Sequence, residues 1–182
     1  MKFIPILLLI ASLYAPAAHA QQYATDAGKA AFTGEIPVNR FTGISESLSG
    51  RVSLIDRSVR FTLDLNTLDT GIGKRDRDMR KTLNTSRFPE AVFEGRLVSE
   101  FDPGIPEMQP ARVQGTFTLH GVSQEIEVEG GLQRVGEGLM VTAEWVLNMR
   151  DYRIEPPRML VMRVAETIDV RIEALLASVN VP

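Results

Sequence analysis

The chain has no cysteine, so disulfides and thiolate chemistry are excluded. Histidine is almost as scarce. Of two, His19 falls within the first twenty residues, and His120 alone remains beyond them. One imidazole and no thiolate cannot assemble a zinc site of the ordinary kind. A Ser-His-Asp triad would have to use His120, and no nucleophile-elbow pattern accompanies it. Glycine-rich phosphate loops and dinucleotide fingerprints are missing as well. So is the basic, aromatic-rich face that nucleic acid requires: the 182 residues carry 20 Lys and Arg against 23 Asp and Glu. Long apolar runs are limited to Phe3–Leu13, which is too short to cross a bilayer. No convincing long helix interrupts the chain, which argues against a parallel sheet.

Some short features do stand out. Lys2, the apolar run after it and Ala18-His19-Ala20 have the order of a secretory signal peptide with a small-x-small cleavage site. Residues 1–20 are therefore expected to be removed, leaving one domain over 21–182 in the periplasm. Lys2 is the single charged residue of that leader, so the remainder is one unit more acidic than the −3 of the whole.

Period-two alternation dominates the chain beyond the leader. In Val59–Leu65, Val59, Phe61, Leu63 and Leu65 alternate with Arg60, Thr62 and Asp64, the pattern of a sheet with one wet face. Lys29–Ile36, Ser49–Ile55, Val92–Phe101, Ala111–His120, Gln124–Gly130, Gly138–Asn148 and Glu166–Leu176 read the same way. Asn39–Leu48 shows no clear period and is read as a loop or a short helical turn. Eight antiparallel strands fit a closed barrel, which leaves no exposed edge, with a sandwich as the second choice. An eight-stranded barrel is either filled by side chains or holds one small ligand, and periodicity does not choose.

One stretch departs from alternation. Leu65–Gly95 reads as strand, glycine turn, one short amphipathic helix over about 74–84, turn and strand. Met79 and Leu83 share a helix face, and Pro89 prevents continuation. Such a helix would either lid an opening between two strands or be a solvated crossover helix with no function. Lys74, Arg75, Arg77, Arg80 and Lys81 crowd it, with Asp76 and Asp78 among them. The two aspartates point in different directions on a helix, and neighbouring arginines keep both ionised, so they do not make an acid–base pair.

The run LDTGIGKRDRDMRKTLNTSRFPEAVFEG resembles the signature of the YceI-like family, and VQGTFTLHGV at Val113–Val122 resembles a second strand-and-turn signature in the same order. With weaker strand matches the resemblance covers roughly residues 23–176. Asn148–Ile154, NMRDYRI, is compatible with a further family segment at Asn148, Asp151 and Tyr152 and departs from it at Met149, Arg150 and Arg153. The family often has a histidine where this chain has Pro37-Val38-Asn39-Arg40.

The resemblance implies an all-β, eight-stranded antiparallel lipocalin-like barrel that binds a long isoprenoid-type lipid, polyisoprenoid or quinone, as carrier, store or stress-related factor. Candidate cavity residues are Phe32, Phe61, Leu63, Phe93, Phe117, Leu119, Val141, Trp145, Ile168 and Val170, each equally readable as ordinary core. Arg75, Arg77, Arg80 and His120 are candidates for a ligand head group, arginine being suited to bidentate phosphate contact. His120 reads more simply as a residue that caps or packs its hairpin. No catalytic residue, metal or cofactor is expected apart from the bound lipid. The expected partners are the lipid, a membrane redox protein of the cytochrome b561 type by analogy, and a second copy in a homodimer, with no nucleic acid. An envelope-lipid hydrolase, or a filled barrel acting through its surface, are the competing readings.

Overall fold

A computed structural model describes residues 22–159 and 162–179. The expected signal peptide and its cleavage site lie outside the described residues. Ten strands are present among the described residues: β1 (Gln22–Ile36), β2 (Asn39–Ser53), β3 (Ser58–Asp64), β4 (Glu90–Leu97), β5 (Gln109–Leu119), β6 (Val122–Val135), β7 (Gly138–Asn148), β8 (Arg158–Met159), β9 (Met162–Arg163) and β10 (Thr167–Ser178). Eight of them close an antiparallel barrel in the order β1-β10-β7-β6-β5-β4-β3-β2, while β8 and β9 form a small separate ribbon. Every neighbour in the barrel is a chain neighbour except across that ribbon and at the closure, where β1 pairs with β10 from Tyr23↔Ser178 to Thr33↔Asp169. The barrel and the α-helix α1 (Gly73–Leu83) match the expected fold.

Several strands are longer than alternation suggests. Asn39–Leu48, read as a loop, belongs to β2 and pairs with β1 out to Ile36↔Asn39. The period fails there for two reasons. The inward positions are Phe41, Gly43 and Ser45 rather than large aliphatics, and the register then shifts, so that Glu46 and Ser47 are both exposed before Leu48 turns in. A bulge reverses the parity of the strand beyond it. The turn after β5 is tight, and Val122 and Ser123 already belong to β6. It consists of His120 and Gly121, both with positive φ (54° and 73°), the two-residue geometry that matches strand twist.

The two ends of the barrel differ. At the base, Tyr23, Val52, Leu97, Leu139 and Leu176 are almost wholly buried and pack the lumen solid. At the other end lie the β1–β2 turn, the β3–β4 connection with α1, the His120–Gly121 turn and the 149–166 connection. There β2 and β3 part company. They pair only from Ser49↔Thr62 to Val52↔Val59. Above this the gap is spanned by an isolated bridge between Ile44 and Asp69, with both N–H···O bonds at 2.9 Å, and by the Ser45 and Thr67 hydroxyls at 2.7 Å.

Candidate functional site

Above the packed base the barrel is hollow. Two chambers occur among the described residues. The larger, of about 410 Å³, opens toward the α1 end. The smaller, of about 100 Å³, lies deeper. Ala30, Leu63, Phe117 and Val170 border both, so these four side chains form the neck between them. The Phe117 ring is held there edge-to-face by Trp145 and by Tyr152, each with ring centroids 5.6 Å away. Such edge-to-face pairs contribute roughly 0.5–1.5 kcal/mol each beyond their area burial.

The lumen stays open partly because large rings are laid against glycines. Phe32 pairs with Gly43, and Phe61 with Gly50. In each case the ring occupies the volume that a Cβ on the glycine would need. Phe41 covers Gly34 in the same way. The rings thus lie along the wall instead of projecting across the space.

α1 covers the larger chamber, and Met79 and Leu83, which share a helix face, both line it. The helix ends at Asn84, which adopts the left-handed conformation (φ 49°) and donates its N–H to the carbonyls of Arg80 and Lys81. The other end is fixed by Asp76. Its Oδ1 accepts from the Thr70 N–H at 3.0 Å and from the Thr70 hydroxyl at 2.6 Å. The hydroxyl bond holds the carboxyl below its ordinary pKa against the opposing effect of burial. Asp76 is therefore an ionised anchor for the lid, not an acid.

Polar groups are unevenly placed around the larger chamber. Thr70, Lys74, Arg75, Asp78 and Thr82 all stand on the α1 side, and the remaining wall is almost entirely apolar. Lys74 donates to Asp78 Oδ2 at 2.8 Å across one helical turn. Arg75 has no carboxylate partner among the described residues. Its guanidinium carbon sits 5.0 Å from the Phe41 ring centroid, and its Nε is buried without a hydrogen-bond acceptor. A buried, unsatisfied N–H on a cation is costly, and an anionic or strongly polar acceptor would relieve that cost.

All ten sequence-derived wall candidates border one chamber or the other. Phe32, Leu63, Phe117, Leu119, Ile168 and Val170 line the larger. Phe61, Phe93, Val141 and Trp145 line the smaller, with Leu63, Phe117 and Val170 shared. The head-group candidates separate. Arg75 reaches the larger chamber, whereas Arg77, Arg80 and His120 border neither. Arg77 is exposed, and Arg80 donates to the Asn66 carbonyl at 3.4 Å. Helical phase explains this. Arg75 is one turn before Met79 on the apolar face, whereas Arg77 and Lys81 lie on the opposite face. His120 Nδ1 is 3.1 Å from the Tyr152 carbonyl oxygen, and its ring packs edge-to-face on Phe88 at 5.1 Å. It ties the β5–β6 turn to the 149–152 segment, which is the hairpin-packing role. Further lining from Phe41, Leu68, Ile72, Met149, Ile154 and Val164 comes from segments without strand periodicity.

A closed antiparallel barrel with a packed base, an apolar hollow and a helical lid defines a class of lidded barrel folds. Within that class the chain belongs to the YceI-like domain family, whose signature matches residues 22–176. It is similar to a solved polyisoprenoid binding domain from Saccharophagus degradans, implicated in plant cell wall breakdown, with 20% identity and a TM-score of 0.73 over 88% of this chain and 99% of that one. BcnA of Burkholderia cenocepacia aligns with a TM-score of 0.68 at 13% identity, over 82% of this chain and 96% of that one. The YceI protein of Campylobacter jejuni gives 0.55 at 13% identity, over 96% and 90% respectively. A UPF0312 protein of Enterobacter sp. (strain 638) is 30% identical over 82 residues, which span 44% of this chain and 38% of that protein.

Proposed function

We propose that the protein binds one isoprenoid-type lipid, with its tail in the two chambers and its polar head at the α1 rim. The observation that carries this reading is the polarity of the larger chamber: apolar wall throughout, with charge confined to one side of the opening. That arrangement complements an amphiphile, not a compact polar metabolite. Ligand sites of a few hundred Å³ with a few convergent polar groups are the usual form of small-molecule pockets. Each methylene moved from water into the wall contributes roughly 0.8 kcal/mol. The likeness to a polyisoprenoid binding domain supports the same ligand class.

Binding, not catalysis, is the proposed activity. The one histidine among the described residues is committed to the Tyr152 carbonyl and the Phe88 ring, away from both chambers. The site of action would be the periplasm, on the strength of the leader-like first twenty residues. The experiment is mass spectrometry of organic extracts from the purified protein, followed by titration of the extracted protein with a long-chain prenol. A co-purifying isoprenoid or saturable prenol uptake is expected. Clean extracts with no uptake would overturn the reading.

A further inference from the structure

The cationic cluster of α1 is largely unused by the chamber. From Lys74 to Arg87 the chain carries six basic and two acidic residues, in a protein whose net charge is −3. Arg77 and Lys81 are exposed on the helix face turned away from the lumen. Across the opening, Arg153 and Arg163 are exposed as well, in the connection whose Ile154 and Val164 line the chamber. Two apolar side chains accompany these charges. Val38, at the tip of the β1–β2 turn, is 76% exposed, and Ile72, at the start of the lid, is 49% exposed.

We propose that the α1 end of the barrel docks on an anionic lipid bilayer, with Arg77, Lys81, Arg153 and Arg163 on the head groups and Val38 and Ile72 entering the interface. This deepens the lipid-binding reading and rests on it, since a tail can then pass between bilayer and chamber without crossing water. Clustered basic side chains are attracted to the negative potential of an anionic leaflet over about a Debye length. Apolar residues amid a basic face add hydrophobic contact once the surface is reached. The acidic remainder of the molecule would be repelled, so the same field orients the opening toward the membrane.

The test uses the full mature chain, stripped of lipid by organic extraction and refolded, in flotation with vesicles of phosphatidylcholine alone or mixed with phosphatidylglycerol. Flotation is expected with the mixed vesicles, declining as salt is raised, and not with phosphatidylcholine alone. Arg77→Glu with Lys81→Glu should weaken vesicle partitioning on the order of tenfold or more. Arg51→Glu with Arg112→Glu, an equal charge change near the packed base, should leave it within about twofold by the same screened-field argument. Equal loss from both pairs, or equal partitioning to both vesicle types, would overturn the proposal. Prenol titration in solution is run on the same proteins. Flotation without prenol uptake sinks the ligand reading alone, and prenol uptake without flotation sinks the docking surface alone.

Discussion

Phe32 and Gly43 are cross-strand partners in β1 and β2, and the phenyl ring lies in the space that a side chain on Gly43 would take. The aromatic contributes wall area without consuming lumen, and only glycine permits it. Gly43→Ala should push the Phe32 ring toward the opening. Prenol affinity is expected to fall by about tenfold, the effect of a mis-seated ring displacing one or two methylenes. Phe32→Leu in the same background should restore much of it. Isothermal titration of the two variants measures both steps, and an unchanged affinity in Gly43→Ala would show that the ring has another place to go.

Phe117 divides the lumen. Phe117→Ala should merge the two chambers and raise affinity for longer prenols relative to shorter ones. Truncating a fully packed phenylalanine costs about 3–5 kcal/mol. Here the ring already borders space on two sides, so the loss in unfolding free energy should sit below that range. Ala143→Phe, which fills the smaller chamber, should have the opposite effect on chain-length preference at less than the about 1–3 kcal/mol typical of overpacking. A length series of prenols titrated against both variants reads the shift.

Of the two cations that line the larger chamber, Lys74 is paired with Asp78, whereas Arg75 has no carboxylate partner among the described residues. Arg75→Met keeps an apolar stem against Phe41 and removes the charge. Affinity for a phosphorylated prenol should fall by about tenfold to a hundredfold, the range for one charged hydrogen bond, with little change for the free alcohol. Arg77→Met should leave the ratio of the two affinities unchanged. Competition between the two ligands on each variant checks it.

Asp76 fixes the lid through Thr70. Its folded-state pKa is depressed, so the stability it contributes is present above the unfolded carboxylate value of about 4 and is lost as pH falls through the folded value. Asp76→Asn should cost about 1–2 kcal/mol at neutral pH, the scale of a charged hydrogen bond weakened to a neutral one. It should also flatten the stability profile below about pH 4. Chemical unfolding of both proteins across that range gives the comparison. A parallel decline in parent and variant would remove Asp76 from the account.

The strands with large inward residues were legible in the sequence: β3, β7 and β10 alternate because apolar side chains face the lumen and most outward positions are polar, Val146 and Leu175 being exposed exceptions. β2 was not, because its inward face over the hollow part is Phe41, Gly43 and Ser45 and a bulge then shifts the parity. Emptiness leaves no hydrophobic trace. The wall residues were readable because a chamber lined by core-type side chains has the pattern of a core. The chamber itself was not, since alternation is the same for a filled lumen and an open one. At the lid, clustering of five basic residues marked the right segment. Only their phase relative to Met79 separates Arg75 from Arg77, and the three head-group arginines do not act together.

The parted strands β2 and β3 have a kinetic meaning. Over residues 39–48, β2 is held by its ladder to β1 and, on the other side, by the Ile44–Asp69 backbone pair and the Ser45–Thr67 hydroxyls. Releasing that latch would break three hydrogen bonds, each contributing about 0.5–1.5 kcal/mol, far less than undoing a strand. Widening the entrance is thus a local fluctuation, decoupled from global unfolding. The Ile44 and Asp69 amides should exchange with deuterium orders of magnitude faster than those of Leu139 and Leu176 at the solid base. The rate at which a long tail enters or leaves would then be paced by the latch and not by the barrel.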